Sequence, residues 1–104
     1  MKFAVDVLYR DMEYSASIND VISKKLEKLN RFSDQIIHSR VVLDTPHNHK
    51  QKGKQFRASI EIDIKGHPIA VTQDNESIHL AVRDAFNSAE RKVKQITARQ
   101  RTLQ

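Results

Sequence analysis

The segment QFRASIEIDIK, residues 55–65, alternates apolar and polar side chains without a break. Phe56, Ala58, Ile60, Ile62 and Ile64 take one side of an extended chain; Arg57, Ser59, Glu61, Asp63 and Lys65 take the other. A period of two marks a strand with one buried face and one wet face. The remainder of the chain must therefore supply a single apolar layer for a single sheet face.

Two helical stripes answer that need. In YSASINDVISKKLEKLNRF, Ile18, Val21, Ile22, Leu26, Leu29 and Phe32 recur at three- and four-residue steps. Ser15 or Ser17 stands where the free N–H groups of the first turn need an acceptor. In ESIHLAVRDAFNSAERKVKQITARQ the stripe is Ile78, Val82, Ala85, Phe86, Ala89, Val93 and Ile96, with capping residues expected among 74–77. KFAVDVLYR alternates as a first strand, with Phe3, Val5, Val7 and Tyr9 on one side. IIHSRVVLD reads as a second strand stopped by Pro46, since proline cannot donate to a ladder. Gly66, His67 and Pro68 supply a turn, and IAVTQ returns as a short fourth strand.

The order is β-α-β-β-β-α, which predicts an α/β (α+β) two-layer sandwich: a four-stranded sheet with two helices packed on one face. The helical crossover allows the first two strands to be parallel, and the short later connections suit antiparallel hairpins. At 104 residues this is one domain, 1–104, with fraying expected after about Arg99 and a loose tail at 101–104.

The chain has no cysteine, which excludes disulfides and thiolate metal sites. No apolar run approaches the ~20 residues of a membrane span. Asp6 interrupts the apolar stretch that a signal peptide would need. The expectation is a soluble cytoplasmic domain without a membrane partner.

The net charge is +5, gathered in two places. Residues 83–101 hold six Arg or Lys against Asp84 and Glu90. Lys50, Lys52, Lys54 and Arg57 stand together with no acid among them. Clustered cations point to a polyanionic partner. On the first helix Lys24, Lys28 and Arg31 share one flank of the apolar stripe, and Lys25 lies near the stripe with room for its ammonium to reach water. On the second, Arg83, Asn87, Arg91, Lys94 and Arg101 line an outward row that reads as free of acids. Helix-turn-helix spacing and a zinc-finger pattern are not apparent and exposed stacking aromatics are scarce, so phosphate contact and shape recognition of a folded RNA fit better than base reading.

The loop PHNHKQKGK, residues 46–54, admits three readings. A metal site would need more than His47 and His49 with Asp44, and nothing in the sequence brings His38, His67 or His79 to them. A solvated hairpin loop is the plain alternative. The preferred reading is an RNA-facing arm, in which Gly53 lets the backbone turn and Lys50, Lys52 and Lys54 meet phosphates. Catalysis is not expected: nucleophile elbow and Walker loop are lacking. The Glu61 and Asp63 pair has a simpler explanation in cross-strand ion pairs with Arg40 and Arg57. The remaining class is a protein-interaction module docking through the open sheet face, whose binding would resist salt.

The helix-one segment VISKKLEKLNRF and the helix-two segment SIHLAVRDAFNSAERKVKQ, in this element order, resemble the bacterial ribosome hibernation-promoting factor / ribosome-associated protein Y family over essentially the whole chain. The resemblance implies a double-stranded-RNA-binding-domain-like fold with an added first strand. It implies a partner, the small ribosomal subunit with its 16S rRNA and the intact ribosome, bound in the decoding channel so as to occlude tRNA and mRNA under stress. Family basic positions correspond to Lys24, Lys25, Lys28, Arg31, Arg91 and Lys94. Where the family often has tyrosine and aspartate early in helix two, this chain has His79 and Arg83, and Ser88 replaces a common lysine. The chain looks like a short form, monomeric off the ribosome, with neither cofactor nor small-molecule substrate.

Overall fold

A computed structural model describes residues 4–33, 35–45 and 56–102. The elements are β1 (Ala4–Tyr9), α1 (Ala16–Phe32), β2 (Ile36–Asp44), β3 (Phe56–Ile64), β4 (His67–Asn75) and α2 (Ile78–Thr102). The sheet order is β1-β2-β3-β4, with β1 parallel to β2 and the two later pairs antiparallel. Both helices cover the same face. The expected two-layer architecture is the observed one.

Alternation along β3 does what its period dictates. Ala58, Ile60, Ile62 and Ile64 are buried, while Glu61 and Asp63 are exposed. Register then stacks like on like: Ile60 lies between Val41 of β2 and Val71 of β4, and Ile62 between Ser39 and Ile69. Ile18, Ile22, Leu26 and Leu29 of α1 and Val82, Phe86 and Val93 of α2 close the core from above. Ala81, Ala85 and Ala89 are fully buried on α2, small side chains that let this helix pack close over β3 and β4.

Helix starts follow their capping chemistry. The Ser15 hydroxyl accepts from the Ile18 N–H at 3.2 Å, so Ser15 rather than Ser17 is the cap. Ser77 does the same for Leu80 on α2, at 3.4 Å. The Tyr9 hydroxyl ties β1 to the start of α1, lying 3.0 Å from the Ser15 carbonyl and 2.6 Å from Asn19 Oδ1. Burial pushes the Tyr9 phenol up from its ordinary value.

Three local expectations need correction. The β3–β4 turn is Lys65–Gly66 alone, and His67 and Pro68 belong to a nine-residue β4. A proline is tolerated there because β4 is an edge strand. Gly66 has φ +78°, the left-handed conformation that tight hairpin turns require. Helix α2 continues to Thr102, past the end expected near Arg99. Finally, Arg57 does not serve Glu61 or Asp63: it makes a two-pronged pair with Asp74, at 2.7 and 3.0 Å, which raises the guanidinium's pKa. Position 57 faces Asp74 across the ladder, whereas Glu61 faces Arg40 and Ala70. Among the described residues, neither Glu61 nor Asp63 is in an ion pair.

Candidate nucleic-acid interface

The connectivity makes the two helices run the same way. Helix α1 returns from β1 to the parallel β2, and α2 leaves β4, which two antiparallel steps make parallel to β2. Equivalent turns of α1 and α2 therefore lie abreast: Lys28 reaches Glu90, and Phe32 lies under Lys94. The cation rows of the two helices meet along this seam.

At its centre is an acid. Glu90 lies 3.1 Å from Lys94, one turn on, and 3.3 Å from Lys28 of the other helix. The Lys94 hydrogen bond, helped by Lys28, holds its carboxyl below the usual range although burial acts the other way. The outward row of α2 is thus not free of acids. A step of seven residues returns a helix to nearly the same bearing, so Glu90 falls beneath Arg83 and beside Lys94. Both ammonium groups remain about half exposed, so each keeps donors for a further partner.

Lys94 also sits 4.5 Å from the centre of the Phe32 ring. That contact gives the side chain a second reason to lie along the seam. Below it, Arg31, Phe32, Lys94, Thr97 and Ala98 line an open cleft of about 230 Å³ between the helix ends. The Thr97 hydroxyl oxygen is buried and has no partner among the described residues. Arg31, in the last turn of α1, is exposed and in no ion pair among the described residues. Its position also suits the negative end of the helix dipole.

The other expected residues are distributed less tightly. Lys24 is one turn back on α1, paired with Asp20 at 3.1 Å in a wholly exposed contact that constrains it little. Lys25 is half-buried, as its place near the apolar stripe implies. Arg91 is exposed, with only a long 3.5 Å contact to Ser88. Arg83 is drawn away from the row: its guanidinium meets Asp84 at 2.9 Å, and Asn75 donates to the same carboxylate. Arg83 and Asn75 together lower the Asp84 pKa. Lys92 and Arg99 lie on the opposite flank, in a small depression beside Pro68 and Ile69. Lys50, Lys52 and Lys54, with His47 and His49, lie outside the described residues.

The structure therefore assembles Lys28, Arg31 and Lys94 with Arg91 near by, and sets Lys24 at the margin and Arg83 apart. It adds Glu90, Phe32 and Thr97. Of these, only the four-residue spacing of Glu90 and Lys94 was a signal readable in the sequence. Among the described residues no three His, Cys, Asp or Glu side chains converge as metal ligands, and no helix is long and apolar enough to cross a membrane.

Comparison with known proteins gives the arrangement a lineage. A ribosome hibernation promotion factor of Deinococcus radiodurans is 23% identical over 90 residues, which cover 86% of this chain and 47% of that protein. The chain thus spans about half the length of this curated relative. The crystal structure of the Thermus thermophilus Protein Y N-terminal domain superposes with a TM-score of 0.76 at 27% identity, covering 91% of this chain and 99% of that one. A ribosomal subunit interface protein from Coxiella burnetii shares the fold, with a TM-score of 0.74 at 14% identity over 92% and 99% of the two chains. The family model described as Sigma 54 modulation protein / S30EA ribosomal protein matches residues 5–101, nearly the whole chain, which therefore belongs to that family.

Proposed function

We propose that this chain is a ribosome-associated hibernation factor of the cytoplasm. It binds the small ribosomal subunit through phosphates of the 16S rRNA, and its bulk occludes the tRNA and mRNA sites during stress. The observation that carries this reading is the α1–α2 seam, where Lys28, Arg31 and Lys94 converge on one exposed surface of a chain in this family. The family description and the name of the Deinococcus radiodurans relative support the ribosome as the partner. Silencing by occlusion requires no catalytic step, only a rigid domain held in place by charge. Phosphate contacts dominate such binding and release counterions, so affinity must fall with salt.

Sedimentation through sucrose with small subunits and with intact ribosomes, at low and high salt, tests the proposal. With about six phosphates met, log K should fall against log salt with a slope of about −4 to −5. Absence of binding at low salt overturns the reading, and binding indifferent to salt points to a protein contact instead.

A further inference from the structure

Both helices lie on one side of the sheet, and among the described residues nothing covers the other. The two faces of the domain have opposite charge. Helices α1 and α2 carry ten Lys or Arg against four acids. Among the described residues of the four strands, the open face presents Asp6, Asp44, Glu61, Asp63 and Asp74 against Arg40 and Arg57, with Lys65 following at the turn. Arg57 is already held by Asp74. Asp6 lies 3.0 Å from the His38 ring.

At the end of the face near the β3–β4 turn, His38, Glu61, Asp63, Pro68 and Ala70 surround an open depression of about 450 Å³. Glu61 and Asp63 stand two apart on β3, hence on one side and about 7 Å from each other. Pro68 and Ala70 give the depression an apolar wall. Two carboxylates without an ion pair, set over an apolar wall, suit the long methylene stem and charged head of a lysine or arginine.

We infer that the open sheet face is a docking surface for a cationic, lysine- or arginine-rich segment of a partner protein. The depression between Glu61, Asp63 and Ala70 receives one basic side chain, and Asp6 meets the charge of another. Nucleic acid is excluded from this face by the same carboxylates that attract the peptide. The domain then has two sides: cations of the helices for a polyanion, carboxylates of the sheet for a polycation. This is independent of the ribosomal reading, because it uses none of the helix residues.

The test is titration of the 15N-labelled chain with octalysine, followed by amide shifts, with octaglutamate and an RNA hairpin as the alternative ligands. Octalysine is expected to shift amides around His38, Glu61, Asp63 and Ala70. Glu61→Gln with Asp63→Asn, both exposed changes, should weaken it by about tenfold, the order expected for losing two charge contacts. Arg31→Glu with Arg91→Glu should leave the sheet-face shifts in place. Unchanged binding in the neutralised variant, octalysine shifts located elsewhere, or sheet-face shifts caused by the RNA hairpin each overturn the inference. So do sheet-face shifts that appear with protein concentration alone, which would make a second copy the occupant.

Discussion

Lys28 of α1 and Glu90 of α2 meet at 3.3 Å across the seam between the helices, and the same carboxylate holds Lys94 at 3.1 Å. One acid thus fixes two cations of the surface proposed to meet RNA. Its carboxyl is held below the ordinary range in the folded protein. The folded state therefore binds that proton more weakly than the unfolded chain does. The resulting stability is present above the unfolded carboxyl's range and is lost as pH falls through the folded value. Glu90→Gln should cost about 0.5–1 kcal/mol at neutral pH. The difference from the parent should narrow as pH falls through the ordinary glutamate range, about 4.3, and close only at a pH below it, beneath the lowered folded value. Urea denaturation at both pH values measures this; a constant gap would remove the linkage.

The same contact decides which charge reversals are informative. A glutamate at Lys28 would stand against Glu90 and damage the helix packing, so loss of binding there would be ambiguous. Arg31 and Arg91 are exposed and in no ion pair among the described residues. Arg31→Glu with Arg91→Glu should preserve the far-ultraviolet circular dichroism spectrum and reduce ribosome co-sedimentation by at least about tenfold at low salt, given the contribution of each phosphate contact. Full retention would remove the helix seam as the contact surface.

Gly66→Ala tests the turn. The position has φ +78°, and a Cβ there would meet nothing within 4 Å. The whole cost is then backbone strain, about 1 kcal/mol, or a drop of about 4–8 °C in Tm for a domain of this size. Ribosome binding should be unaffected. A neutral result in thermal unfolding would show that the hairpin relaxes freely.

Ser39→Ala should have the opposite sign. Ser39 is fully buried on β2, between Val5 and Ile62, and among the described residues its hydroxyl has no partner. Removing an unsatisfied buried hydroxyl should stabilise the fold by about 0.5–1 kcal/mol. A lower Tm in the alanine variant would mean that the hydroxyl finds a partner in solution.

The sequence by itself determined the element types, their order and the core, because each rests on a local period. Alternation through Ile60 and Ile62 makes a one-faced strand whatever its neighbours, and the stripe from Ile18 to Leu29 makes a helix with one side to bury. The cap at Ser15 was readable to within two residues for the same reason. Only the tertiary structure decided what depends on which elements are neighbours. Pro68 joins a strand because β4 lies at an edge, and Arg57 chooses Asp74 because the ladder sets them opposite. Helical spacing places Lys28 and Glu90 on their own helices, but says nothing of the distance between those helices. That distance follows from both stripes sharing one sheet face, with α1 and α2 running the same way. It turns two rows of cations into one surface with an acid at its centre.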